Sequence, residues 1–138
     1  MKPHIKNQLY HFWYEQWNNL ENNKLKNNGG KIGEKFTHNF HSRIDEIKFT
    51  RLRIGHTRLT HSHFFTGNQA PICNECHCPF TINHILCICP RFEEERLTLL
   101  ENTTLSRKKL KEFLDRKNPN RNHTIIQFLK LTNLFSEI

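Results

Sequence analysis

The sequence predicts a mainly α protein, several amphipathic helices arranged around a small Cys-Cys-His-Cys zinc-knuckle-like hairpin. Three observations predict it. Apolar residues recur at helical spacing through most of the 138-residue chain. No segment alternates apolar and polar residues long enough for a strand, apart from short pieces around the cysteines. All five cysteines fall within one window, Cys73 to Cys89. An odd, clustered set of cysteines beside histidine argues against a secreted disulfide framework and for metal binding in a reducing compartment.

The first helix is expected over Ile5–Leu20, where Ile5, Leu9, Phe12, Trp13 and Leu20 repeat at helical spacing with Tyr10, Tyr14 and Trp17 on an adjoining strip. An aromatic stripe of that kind is expected to pack into the core. The Asn-rich stretch Asn22–Asn28 and Gly29-Gly30 close it. Residues 1–28 are therefore read as an N-terminal amphipathic helix, 29–41 as a linker, and 42–138 as a helical domain containing the zinc motif at 73–90. Ser42 followed by Asp45 is close to a capping box, so the next helix starts there. Ile44, Ile47 and Ile54 share one of its faces, and Phe49, Leu52, His56 and Leu59 another. Gly55 ends or kinks it, a short turn resumes through Leu59–Phe65, and Gly67–Pro71 is a boundary. After the cysteines, Glu93-Glu94-Glu95 suits the first turn of a helix carrying Leu97 and Leu99. Leu105, Leu110, Phe113 and Leu114 make another helix ending near Pro119. The last helix holds Ile125, Ile126, Phe128 and Leu129, capped by Asn120 or Asn122.

Charge narrows the classes of partner. Lys and Arg number 21 against 13 acids, a formal net charge of +8. Residues 1–65 carry eleven basic residues against five acids, and residues 66–138 ten against eight. The surplus therefore sits ahead of the cysteine window, and it points to a polyanionic partner, RNA or DNA. Lys48, Arg51, Arg53 and Arg58 are the expected phosphate contacts, and Phe80 a residue to stack on an exposed base. The longest apolar run is Ile85 to Cys89 and the mean hydropathy is −0.74, so no membrane span is expected. Nor does a contiguous apolar stretch after Met1-Lys2-Pro3 suggest a leader, which gives a cytoplasmic or nuclear location as the expectation.

The most specific motif is Cys73-x2-Cys76-x7-His84-x4-Cys89. Zinc takes four thiolate or imidazole ligands in a tetrahedron, and Cys-x2-Cys supplies two of them from one tight turn. Thr81 caps a short helix through His84, on which His84 and Cys89 would point about 140° apart. Pro90 forces Cys89 out of the helical region, so its thiolate swings back toward the metal. Cys87, Cys78 and His77 are rivals for a place in the set. His61-x-His63 is read as surface histidines rather than a second metal site, for want of an acid or thiol nearby in sequence. No catalytic residue is assigned and no enzyme activity is expected, because a site closed by four protein ligands has no position for water.

Three strings carry a resemblance: Thr50-Arg51-Leu52-Arg53-Ile54-Gly55-His56-Thr57-Arg58-Leu59-Thr60-His61, Pro71-Ile72-Cys73-Asn74-Glu75-Cys76, and His84-Ile85-Leu86-Cys87-Ile88-Cys89-Pro90-Arg91-Phe92. In this order they resemble the C-terminal end of the polyprotein of arthropod non-LTR retrotransposons of the jockey-like group. Trp13-x3-Trp17 and the closing Phe128-Leu129-Lys130-Leu131-Thr132 are similar to its flanking pattern. The resemblance implies a segment downstream of reverse transcriptase and RNase H, ending in a Cys-Cys-His-Cys zinc motif with Cys73, Cys76, His84 and Cys89 as ligands. It also implies that the RNase H carboxylates lie upstream of this chain, which is then a detached tail. Besides nucleic acid, the RNase H and reverse transcriptase domains of the parent polyprotein are the implied partners. The chain departs from the family at Cys78, commonly apolar there, and at Cys87, commonly not cysteine.

Overall fold

A computed structural model describes residues 3–27, 30–33, 40–99, 110, 114 and 119–138. The fold is mainly helical. α1 spans Pro3–Asn19, α2 Lys24–Asn27, α3 Arg43–Ile54, α4 Arg58–His61 and α5 His63–Thr66. A π-helical turn, His84–Ile88, and a 3-10 turn, Pro90–Phe92, lead into α6, Glu93–Leu99; α7 covers Pro119–Leu131. Among the described residues the sole β pairing is an antiparallel bridge between Ile72 and Pro79. The expected helix around Leu105 and Phe113 lies outside the described residues, although Leu110 and Leu114 are buried.

Local chemistry fixes the ends of α3. Ser42 is extended and its hydroxyl accepts from the Asp45 amide at 3.1 Å, satisfying one of the first-turn donors. At the other end Gly55 turns left-handed, φ 71°, and its N–H returns to the carbonyls of Arg51 and Leu52. Thr57 and Thr60 then form a reciprocal capping box that starts α4. α7 begins earlier than the sequence suggested, with Pro119 in its first turn, where a missing N–H costs nothing. Asn122 lies inside this helix and is buried rather than capping it.

The core is built from α3, the cysteine window and α7, together with the C-terminal turns, and α6 packs partly buried Leu99 against it. Asp45, Phe49, Leu52 and Arg53 are the buried residues of α3, at the i, i+4, i+7, i+8 spacing of one helix face. They meet α7, whose Ile125, Ile126, Phe128 and Leu129 are buried. Phe92 packs edge-on against Phe128, ring centroids 6.2 Å apart, and so joins the cysteine window to α7. Asp45, itself largely buried, pairs with Lys130 at 3.5 Å. Leu134 and Ile138 fold back into the core, and Arg51 donates to the main-chain oxygen of Ile138 at 3.0 Å.

One expectation about a face is corrected. α1 forms where its period says, but none of its residues is buried; Phe12 and Trp13 are more than half exposed. Helical period reports that a face can be covered, and does not report that this chain covers it. Of the two faces expected on α3, the Phe49/Leu52 face takes the core and Ile44, Ile47 and Ile54 line the exposed side.

Candidate metal centre

The tetrad is assembled from two short pieces of backbone. The first is the knuckle closed by the Ile72–Pro79 bridge. Within it the Cys73 amide donates to the Cys78 carbonyl at 2.9 Å, and the His77 amide donates back to the Cys73 carbonyl at 2.8 Å. His77 takes a positive φ of 53°, which turns the chain after Cys76. The second piece is the π-turn. The Thr81 hydroxyl accepts from the His84 amide at 3.1 Å, and the Cys89 amide closes an i→i+5 bond to the His84 carbonyl at 2.8 Å. The wider turn is what a plain α-helical reading lacked, because it reduces the angular separation of residues five apart. Cys89 is then extended, φ −62° and ψ 120°, ahead of Pro90, as the proline requires.

The two pieces bring one donor atom each from Cys73, Cys76, His84 and Cys89 within 4.8 Å of one another. Cys73 Sγ and Cys89 Sγ are 3.6 Å apart. A tetrahedral zinc site with Zn–S bonds of about 2.3 Å has S···S edges of about 3.8 Å, so the sulfurs already sit at bonding spacing. Cys73, His84 and Cys89 are buried and Cys76 half-buried. Four such donors, three soft thiols and an imidazole, fit zinc in both number and kind. Among the described residues this is the one group of this type; the histidines at 56, 61 and 63 do not form another.

Electrostatics divides the three thiols. Burial pushes Cys73 up, but the His84 side chain and the amides of Cys76 and Glu75 outweigh it and hold the thiol at about 6, against an ordinary 9.0. Those amides convert the knuckle backbone into a thiolate cradle. Cys76 is pushed up to about 12 by burial and by the neighbouring Cys73 and Cys89 sulfurs. Cys89 is also raised, chiefly by burial, although the Arg91 amide opposes this. Three sulfurs at this spacing cannot all be thiolates unless a cation sits among them, so the cluster carries an electrostatic demand for a metal.

The rival ligands are placed as well. Cys87 is half-buried, outside the tetrad, and packed against the core; burial pushes its thiol up to about 11, with Arg96 acting the other way. Cys78 Sγ lies 3.2 Å from His84 Nδ1 and 3.8 Å from Nε2, beside the imidazole although not in the tetrad. Sequence reasoning missed Arg96, which donates Nη1 to the Ile85 carbonyl at 3.2 Å and Nη2 to the Cys89 carbonyl. It ties the second ligand piece to α6. A lone Arg in an acid-rich helix start gives no sign of such a role.

Of the expected nucleic-acid contacts, Arg51 and Arg58 are exposed. Arg53 is the correction: it is 5% exposed, because it lies four residues after Phe49 on the buried face of α3. Lys48 Nζ sits over the Phe135 ring, 5.3 Å from its centroid. Phe80 is half-buried against the core, its ring 5.8 Å from that of His84, and so supports the centre rather than standing free beside it.

No protein-family model, curated protein or solved structure matches this chain. No described helix is long and apolar enough to cross a membrane.

Proposed function

We propose that this chain is a non-catalytic, zinc-binding and nucleic-acid-binding module, the C-terminal fragment of a retrotransposon reverse transcriptase/RNase H polyprotein. The observation that carries the reading is the tetrad Cys73/Cys76/His84/Cys89, three of its members buried and all its donor atoms within 4.8 Å, set in a chain of net charge +8. Zinc supplies four bonds that lock two backbone turns to each other. The role of the chain is to present the surface those turns support. Cys73 enters as a thiolate at neutral pH, and Cys76 and Cys89 release protons as the ion binds. Four protein ligands leave no position for a reactive water, which favours a structural over a hydrolytic role. Exposed Arg51 and Arg58 supply phosphate contacts by charge and by their bidentate geometry.

The family part of the reading rests on the ordered strings around Arg51–His61, Cys73–Cys76 and His84–Phe92. A second reading, a tail that packs against the RNase H or reverse transcriptase domain, is favoured by α1, which buries none of its residues and exposes Tyr10, Phe12, Trp13 and Tyr14. The test is binding of a labelled oligonucleotide to the zinc-loaded chain over a series of salt concentrations. Binding that weakens steeply with salt is expected, with a log–log slope of about 0.7 for each phosphate contacted on a single strand. No binding at 50 mM salt or below refutes the nucleic-acid reading and leaves the packing tail.

A further inference from the structure

Beyond the C-terminal end of α3, a groove of about 510 Å³ opens between that helix and α4–α5, lined by Arg51, His56, Arg58, His61 and Phe65 among others. Its composition differs from that of an ordinary surface cleft in three ways. First, two arginines line it: Arg51, which also donates to the Ile138 main-chain oxygen, and Arg58, with which no acid pairs among the described residues. Second, two stacked rings line it: His56 and His61, with centroids 4.0 Å apart and planes 24° apart. Third, Phe65, which also lines it, is 85% exposed, a large uncovered apolar area for a residue so close to charge.

Each feature separately has an ordinary explanation. Together they match one ligand chemistry. A buried partner protein would cover Phe65 but would leave Arg58 needing a carboxylate. A duplex would satisfy the arginines but offers no base face to the rings. A single strand offers both at once, phosphates at the backbone and unstacked bases beside it. We infer that this groove is the single-strand binding site of the chain, with Arg51 and Arg58 on the phosphates and Phe65 stacking on a base. The inference rests on the nucleic-acid reading above and adds the location and the strandedness of the ligand. It also separates the binding surface from the metal centre, because none of the four ligands lines the groove. The knuckle holds the fold while the α3–α5 corner makes the contacts.

The experiment uses the zinc-loaded full chain and fluorescein-labelled oligouridylate and oligothymidylate, with a duplex of equal length as comparison. Phe65→Ala is expected to weaken single-strand binding about tenfold, the size of one lost base stack, and to leave duplex binding within about twofold. Arg58→Ala is expected to weaken binding and to lower the log–log salt slope by about 0.7, one phosphate contact. Both side chains are exposed, so zinc content and melting temperature should match wild type and exclude a folding artefact. If wild type binds neither strand nor duplex, the nucleic-acid reading itself fails. If wild type binds but Arg58→Ala/Phe65→Ala binds equally well with the same slope, the reading stands and the groove assignment is overturned. Equal losses on duplex and single strand for Phe65→Ala would likewise overturn the stacking role.

Discussion

Arg96→Ala tests how the metal centre is held, and its magnitude follows from the hydrogen bonds that the guanidinium makes. In a π-turn the carbonyl of Ile85 would receive the amide five residues on, but that residue is Pro90, which has no N–H. The amide four residues on, of Cys89, is already committed to His84. Arg96 Nη1 supplies the missing donor at 3.2 Å, inside a residue that is fully buried. Removing it orphans that carbonyl, a cost of about 1–3 kcal/mol. The Cys89 carbonyl loses Nη2 but keeps the Phe92 amide at 3.3 Å, so its loss is smaller, about 1 kcal/mol. Arg96 is itself half-buried, and water entering the gap offsets part of the total, leaving about 2 kcal/mol. For a domain of this size that is a fall in melting temperature of about 6–10 °C. Because the two carbonyls fix the backbone that aims Cys89, zinc affinity should fall about 10–100-fold, as for other outer-shell partners. The assays are thermal unfolding of the zinc-loaded protein and competition with a chromophoric chelator. Arg96→Lys should recover at most part of both effects, since an ammonium group cannot span the two carbonyls as the planar fork does. If Arg96→Ala melts within about 2 °C of wild type and retains its zinc affinity, the strut reasoning is wrong.

The remaining predictions concern the ligands. Cys89→Ser should lose tight zinc binding and cooperative unfolding, whereas Cys87→Ser should keep one equivalent of zinc; plasma emission spectrometry and circular dichroism on the pair decide it. Zinc affinity should rise with pH. Cys76, at about 12, and Cys89, also raised, are protonated in the free protein and must lose their protons to the solvent, whereas Cys73 at about 6 is already ionised. Between pH 7 and 8 the log of the affinity should therefore climb with a slope of about two, one for each proton released, and a flat profile in buffered competition titrations would contradict the thiol assignments.

How much of this was legible in sequence depends on whether the deciding contact is local. Ser42, Gly55 and Pro90 act within a few residues of themselves, and each produced the feature its chemistry demands. The convergence of Cys73, Cys76, His84 and Cys89 was legible because their spacing in the chain is that of a four-ligand metal site. The burial of Arg53 and the exposure of α1 were not. Phe49, Leu52 and Arg53 are adjacent on the helical wheel, and whether the boundary of the buried face includes the arginine depends on how α7 packs 70 residues later. The aromatic face of α1 has the pattern of a core helix, but nothing in its own period reports that Phe49, Leu52, Phe128 and Leu129 fill the core without it. The π-turn was hidden for a related reason. Its sequence, His84–Ile88, reads as an ordinary helical turn, and the extra residue becomes visible only when the Cys89 amide is seen to bond five residues back.

The placement of the tetrad bears on what the metal does for the molecule as a whole. Cys73 and Cys89 are themselves members of the hydrophobic core, in one continuous cluster with Ile82, Ile85, Leu86 and Phe92. Phe92, three residues after Cys89, is the residue that meets Phe128 of α7. α7 in turn packs on α3, whose far end carries Arg51 and opens into the groove with His56 and Arg58. A knuckle appended to the surface would let zinc loss unfold a loop and leave the rest intact. Here the buried thiols of Cys73 and Cys89, with half-buried Cys76 against them, would without a cation place protonated or repelling sulfurs in and beside the apolar cluster that seats Phe92. On the proposed reading, the metal, the core and the basic corner form one cooperative unit. Stripping zinc should thus weaken nucleic-acid binding through loss of the scaffold beneath Arg51 and Arg58, although the ion itself lies outside the groove.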